Sequence, residues 1–277
     1  MQAAAKMKIL TKGQYYGIKD LEKSFDGILL SQYNYNTGRP TDWHYHENPY
    51  FWYILKGNMM DSNKKTNTLC PAGSLMFTNW QETHSGSKHS ENAAGFHLEF
   101  DRNWLKKNNI SLAILEGSLL IEHPKIHFLF AKLYQEFLQN DTYSKIAIEL
   151  LLVQICDSLS DLKETSSTQN IPEWVEHLKE LIHFDTSNLN LKYLSEQLGV
   201  HPTHISRAAS KYLSANLGEY IRQQKLKKAI PLLLNTDNSL TTIAYEAGFA
   251  DQSHFNRVFN SVFDINPSSY RKKLNKI

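Results

Sequence analysis

The sequence predicts an α+β protein: a β-rich N-terminal half, a helical pair, and an all-α C-terminal region with two helix-turn-helix units. Three observations carry that expectation. Short apolar, β-prone runs alternate with Gly, Pro and Asn clusters between residues 8 and 100. From Pro124 onward the apolar residues fall at helical spacing. Beyond a polar stretch at 163–170 every segment reads as helix, and one helix–tight turn–helix pattern occurs twice.

The β-prone runs are Ile28-Leu29-Leu30, Tyr50 to Leu55, Ser74 to Phe77 and Gly95 to Phe100, a pattern that fits an all-β sandwich or barrel. Pro124 then suits the first turn of a helix carrying Ile126, Leu129, Phe130, Leu133, Phe137 and Leu138 at helical spacing. A second helix is expected from about Ser144 to Leu162. Its apolar residues cover more than one face, which predicts burial on two sides, and the helical pair reads as partly domain packing and partly a homodimer surface. Residues 163–170 lack any periodic pattern and read as a linker. The expected division is therefore a domain over 1–162, a linker over 163–170 and a second domain over 171–277.

Bulk properties narrow the function classes. A chain of 277 residues with 41% hydrophobic content is ordinary for two globular domains. No apolar run approaches the ~18 residues of a membrane span. Met1 to Leu10 lacks the apolar core of a signal peptide, so a cytoplasmic location and no membrane partner are expected. Cys70 and Cys156 sit among apolar residues and read as buried, reduced thiols. Residues 171–277 hold 13 Lys+Arg and 10 Asp+Glu, a net of +3, while the rest of the chain is at −1. That excess is too small to argue for nucleic-acid binding alone.

The C-terminal pattern is more informative. Leu191, Leu194 and Leu198 form an apolar stripe, Gly199 supplies a turn with Val200 as its plug, and Pro202 opens a new helix. Ile205 and Ala209 face inward there, leaving Thr203, Ser206, Arg207 and Ser210 outward. The same grammar recurs about fifty residues later. Ser239 caps a helix bearing Ile243 and Ala244, Gly248-Phe249 makes the turn, and Asp251 caps a helix with Phe255, Val258 and Phe259 inward. Gln252, Ser253, His254, Asn256 and Arg257 are left outward, and such side chains can read base edges in the major groove of double-stranded DNA. A longer helix from about Asn216 to Leu232 separates the units, a rigid spacer that can hold two reading helices in neighbouring groove segments.

The run from Ile243 to Phe259, continued by Asn266-Pro267-Ser268-Ser269-Tyr270-Arg271, resembles the signature of the AraC/XylS family of transcription regulators. Ile205-Ser206-Arg207, Glu219-Tyr220-Ile221, and Ala229 with Leu232-Leu233 match as well, so the resemblance covers about residues 175–273. It implies base contacts from Thr203, Ser206 and Arg207 in the first unit, and base or clamping contacts from Gln252, Ser253, His254, Asn256 and Arg257 in the second. Lys211 and Arg271 are implied phosphate contacts, which position rather than specify. The sequence departs from the family at Ala209, where Phe is usual, at Ser214 and Asp264, where Gly is usual, and at Lys225, where Arg is usual. Pro231 lies inside the spacer helix and is expected to kink it or end it early.

In the N-terminal half, Gly38, His44, His46, Tyr50 and Gly57 are spaced like the first cupin motif, and Pro71, Gly73 and His84 like the second. The resemblance covers about residues 25–100 and implies a cupin-like barrel. His44 and His46, two apart on a strand, share a face, and His84 can join them. Three imidazoles can hold Zn, Fe, Ni or Cu. Metal-binding cupins place Glu where Tyr50 stands, however, and a neutral phenol is a poor ligand. The same four residues, His44, His46, Tyr50 and His84, set among Trp43, Tyr45, Phe51, Trp52, Tyr53, Phe77 and Trp80, also suit a pocket for a small ring-bearing or sugar-like effector. His97 reads as structural, with a place beside these residues also open.

The expected function is a transcription regulator that is not an enzyme, needs no cofactor, answers to a small-molecule effector, and has DNA, a second copy and RNA polymerase as partners. Two rivals stay open: a metal-dependent cupin enzyme carrying a DNA-binding module, and a constitutive DNA-binding dimer whose barrel is merely filled.

Overall fold

The computed structural model describes residues 8–35, 40–80, 82–88, 90, 92–111, 117–139, 141–168, 171–184, 189–213 and 215–274. Gly38 and Ser214, both used in the sequence reading, lie outside them. The N-terminal strands are β1 (Lys8–Leu10), β2 (Ile18–Phe25), β3 (Ile28–Tyr35), β4 (His44–His46), β5 (Tyr50–Lys56), β6 (Asn58–Asn63), β7 (Asn67–Pro71), β8 (Leu75–Thr78), β9 (His84–Lys88), β10 (Ala93–Phe100) and β11 (Ser118–Leu120). They form a five-stranded sheet in the order β1-β4-β9-β6-β7 and a six-stranded sheet in the order β11-β8-β5-β10-β3-β2. The four expected runs correspond to β8, β5, β10 and β3, the interior of the larger sheet.

Alternation along these strands builds two cores. Tyr50, Trp52 and Ile54 of β5 join Tyr33 and Tyr35 of β3 in a cluster with Met59 and Cys70 of the smaller sheet. Between them Phe51 points the other way and stacks near Phe77 and Phe100, with ring centroids at 5.1 and 5.9 Å. Phe96 packs on Tyr134 and Phe137, each at 4.9 Å. These two rings belong to α2 (Pro124–Gln139), which follows the short α1 (Arg102–Lys107). Every residue of β10 is buried, because both faces of the strand are covered. That is why these interior strands read as nearly continuous apolar runs.

The second helix of the pair, α3 (Ser144–Thr168), buries Ile148, Leu152, Ile155, Cys156 and Leu159. Tyr143, just before it, and Ile146 and Leu150 on another face remain 76%, 68% and 57% exposed. The expected linker differs from the structure over its first six residues: positions 163–168 continue α3 as helix, and 169–170 lie outside the described residues. Polar composition marks an exposed segment but does not by itself end a helix. By proximity along the backbone, residues 1–122 and 133–156 form one compact unit, and 123–132 with 157–277 form the other. Cys70 and Cys156 are both buried and unbridged, and burial pushes the Cys70 thiol up to about 12. Among the described residues no helix is long and apolar enough to cross a membrane.

The C-terminal region holds α4 (Glu173–Phe184), α5 (Leu191–Leu198), α6 (Pro202–Tyr212), α7 (Leu217–Asn235), α8 (Leu240–Glu246), α9 (Gln252–Phe263) and α10 (Pro267–Leu274). Local chemistry fixes their ends. Asn190, Asn216, Ser239 and Asp251 each accept an amide N–H from the first turn of the helix they cap. Gly199 closes α5 at φ 63°, a left-handed position that glycine adopts without strain. The first unit packs Leu194, Ile205, Ala209, Leu213 and Tyr220 against Leu178 and Ile182 of α4. The second is an aromatic core in which Phe259 meets Phe255, Phe263 and Tyr270 at 5.6, 4.5 and 5.1 Å.

Pro231 does not end α7, one of the two effects expected of it. The helix continues to Asn235, since its last carbonyls find partners: Thr236 donates from both its backbone N–H and its hydroxyl to Leu232 O, and Asn235 Nδ2 donates to Pro231 O. Leu233, beyond the proline, is fully buried. Those contacts outweigh proline's unfavourable ~3 kcal/mol in a helix interior. At 19 residues α7 is about 28 Å long.

Candidate functional site

The facing surfaces of the two sheets enclose a cavity lined by His44, His46, Tyr50 and His84, the four residues expected there, together with Tyr15, Tyr35, Trp52, Asp61, Gly86 and His97 among others. The volume open to the centre of a water-sized sphere is about 60 Å³. That is room for a few waters or a small ligand.

Strand pairing assembles the histidines. His44 on β4 lies directly opposite His84 on β9, so both side chains leave the same face, and His46 follows two residues on. The His44 and His84 rings are 4.4 Å apart, and His46 is 5.3 and 5.5 Å from them. One ring nitrogen from each lies within 4.8 Å of the others. His44 Nδ1 sits 2.7 Å from Asp42 O and His84 Nδ1 sits 3.1 Å from Glu82 O. A carbonyl only accepts, so each Nδ1 carries the proton and each Nε2 is bare. Burial keeps the rings neutral: it holds His44 at about 4, aided by nearby His84, and pushes His46 and His84 down as well. Neutral imidazoles ligate divalent metals, and backbone carbonyls fix two of the three with Nε2 bare, so the cluster fits one. Tyr50 does not complete the set as an anion, because burial drives its phenol far above the ordinary value. Its hydroxyl sits 3.1 Å from His84 Nε2, which can only accept.

Three further residues contribute. Tyr15 lies over the cavity, stacked at 3.7 Å on His97 and 4.8 Å on His46. It is pinned by Glu99, a buried carboxylate that accepts from the Tyr15 hydroxyl, the Gly13 amide and Asn48 Nδ2. His97, read as structural, is part of the wall: Trp52 Nε1 donates to Tyr35 Oη at 2.7 Å, and that hydroxyl meets His97 Nε2 at 3.2 Å. Gly95 makes this chain of contacts possible, since a Cβ there would come 2.3 Å from Tyr35 Oη and 2.5 Å from Trp52 Nε1. Asp61 on β6 is the third, raised to about 6 by burial and by nearby Glu82. The alternation of Met59 and Asp61 toward one face is the only sequence signal, and β6 is too polar to read as a strand alone. Trp43, by contrast, is exposed.

In the helical unit, α6 and α9 occupy the second-helix positions. Thr203, Ser206, Arg207 and Lys211 are all exposed along α6, while Ile205 and Ala209 are fully buried behind them. On α9, Ser253 and Arg257 are exposed and Gln252, His254 and Asn256 half-buried. Gln252 Oε1 accepts from Thr241 Oγ1 at 2.6 Å, tying α9 to α8, and the His254 ring meets Phe249 edge-on at 5.4 Å. Partial burial, then the cationic Lys225 and Arg257, pushes His254 down. Arg271, expected at a phosphate, instead turns inward. Its Nε donates to Leu233 O at 3.1 Å and its Nη1 to Asn238 O at 2.8 Å, because the end of α7 and the following loop leave carbonyls within its reach.

A family model described as a helix-turn-helix domain matches residues 194–273, which span both units. The regulatory protein SoxS of Salmonella typhimurium is 33% identical over 106 residues, 38% of this chain and 94% of SoxS. The HTH-type transcriptional activator RhaS of Escherichia coli O139:H28 is 27% identical over 153 residues, 53% of this chain and 54% of RhaS, so the chain spans about half the length of that relative. Among solved structures, apo ToxT from Vibrio cholerae aligns over 91% of this chain and 99% of its own, at 16% identity and a TM-score of 0.43.

Proposed function

Since the chain belongs to the AraC/XylS family of DNA-binding transcription regulators, we propose that its N-terminal cavity binds a small-molecule effector that controls operator binding. The observation that carries this reading is the cavity itself. A protein whose sheets served only as a scaffold would fill that space with apolar side chains, whereas here four buried histidines line it. An effector acts by binding one arrangement of the protein more tightly than another.

Thr203, Ser206 and Arg207 read bases from the first unit, and Gln252, Ser253, His254, Asn256 and Arg257 from the second, with Lys211 on a phosphate. Arg guanidinium pairs with guanine and the amides of Asn and Gln with adenine. Arg271 acts through position, holding α7 to the second unit. Residues up to about 162 form the sensor and 171–277 the DNA reader. The exposed face of Tyr143, Ile146 and Leu150 has the three-then-four spacing of a helix seam and fits a second copy of itself about a two-fold axis. RNA polymerase is a further partner, and the protein acts in the cytoplasm.

The His44, His46 and His84 cluster favours a second reading of the sensor, in which a divalent metal sits in the cavity. Such an ion supplies positive charge and open coordination positions for a ligand.

The test is a titration of operator DNA, selected from random fragments, at fixed salt and across a metabolite and metal panel. A several-fold change in affinity with one compound is expected. Flat affinities across the panel remove the effector reading, and failure to enrich any sequence removes the DNA assignment for these residues.

A further inference from the structure

The cavity contains one group that the reading above does not use. Asp61 is 3% exposed, lines the cavity, and its Oδ2 has no hydrogen-bond partner. On the β6–β9 ladder it sits opposite Gly86. Directly opposed residues face the same side of a sheet, so a side chain at 86 would cover the carboxylate. A Cβ there would meet nothing closer than Met60 O at 4.0 Å, so the space is open. A buried carboxylate oxygen without a partner is unfavourable, and such a group in a cavity wall is completed by what enters the cavity.

The surroundings define what can enter. Among the described lining residues there is no Lys or Arg, and Lys8 Nζ lies over the Tyr16 ring at 4.9 Å. With its Nδ1 proton committed to Asp42 O, His44 presents an acceptor, not a donor. Tyr35, Tyr50 and Trp52 add aromatic rings, whose negative quadrupoles attract cations. An apolar ligand would leave Asp61 unpaired. A cation with N–H donors satisfies the carboxylate, the acceptors and the rings together.

We propose that Asp61 anchors a subsite for a small protonated amine, its ammonium paired with the Asp61 carboxylate and its carbon part enclosed by the aromatic wall. The proposal rests on the reading of this cavity as the effector site. His97 contributes a second contact. With Nε2 meeting the Tyr35 hydroxyl, its buried Nδ1 has no partner and faces a polar atom of the same ligand. With about 60 Å³ open to the centre of a water-sized sphere, the cavity suits a small ligand.

Ethylammonium chloride, ethanol and sodium acetate make a matched set of probes: cation, neutral and anion of nearly equal size. Thermal melts of the full chain at pH 7.5, with ionic strength equalised by sodium chloride, should show a saturable rise in Tm with ethylammonium alone. In Asp61→Asn the concentration needed for half of that rise should increase at least tenfold. An undiminished response in Asp61→Asn, a larger response to acetate, or no response to ethylammonium overturns the subsite. A shift with acetate or cobalt(II) but none with ethylammonium does so while leaving the cavity an effector site. Silence to every probe, together with flat operator affinities, overturns both.

Discussion

The Tyr50 hydroxyl donates to Nε2 of His84 across the gap between the two sheets, 3.1 Å away. The bond caps the nitrogen that a metal would need, so Tyr50 competes with an ion for His84 and does not help hold it. Tyr50→Phe is therefore expected to bind cobalt(II) at least as tightly as the unaltered protein. Weaker binding in a dialysis titration would make Tyr50 a ligand and reverse this reading.

Arg257→Ala should weaken operator binding by about 1–3 kcal/mol and relax selectivity at one base pair. Lys211→Ala should lower affinity evenly across sequences and flatten its salt dependence. Gel-shift titrations on a set of operator variants separate the two. Equal affinity of Arg257→Ala and the unaltered chain would remove Arg257 from the reading surface.

Acid should destabilise the N-terminal unit. His44 is held at about 4 in the folded chain against 6.5 as the ordinary value. The unfolded chain then takes up the proton first, so stability is full above 6.5 and declines as the pH falls toward 4. At pH 5 this residue alone costs about 2 kcal/mol, and His46, His84 and His97 shift in the same direction. Urea midpoints between pH 7.5 and 5 report this, and a midpoint independent of pH there contradicts it.

Asp61 titrates with the opposite sign. Its value is raised from 3.8 to about 6, so the fold favours the protonated form and loses stability as pH rises from 3.8 through 6. Asp61→Asn should therefore gain about 1–3 kcal/mol at pH 8 and almost nothing at pH 4. A loss at pH 8 would mean that the carboxylate makes a favourable contact in the fold.

Asp264 closes α9 at φ 52°, in the left-handed region. Asp264→Gly should stabilise the helical unit by about 0.5–1 kcal/mol in chemical unfolding. No gain would show that the aspartate side chain compensates locally.

Ile146→Lys with Leu150→Lys should turn a dimer into a monomer without unfolding α3, whose buried face is untouched. Sedimentation at matched concentration measures this, and an unchanged mass moves the interface elsewhere.

The helical half was legible because its signals are local. Ser239 and Asp251 cap as their positions suggest, and Gly199 turns left-handed where a turn is needed. The interior strands of the larger sheet were equally plain, since burial on both faces makes them apolar throughout. The smaller sheet was not. β6 and β9, Asn58–Asn63 and His84–Lys88, carry polar residues with no strand propensity and exist through pairing with neighbours distant in sequence. His84 could be placed from its spacing alone. Asp61 could not, because reading its direction requires knowing that β6 is a strand. The hydrogen bonds of Arg271 were not legible for a related reason: the resemblance implies a phosphate contact, and only the fold shows two carbonyls within its reach.

Those two carbonyls, of Leu233 and Asn238, stand where the spacer helix gives way to the second reading unit. A single guanidinium on α10 thus fastens both the end of α7 and the loop after it. Should the two units read DNA as proposed, replacing it is expected to leave each unit folded and to loosen the angle between them, which operators of altered half-site spacing would reveal.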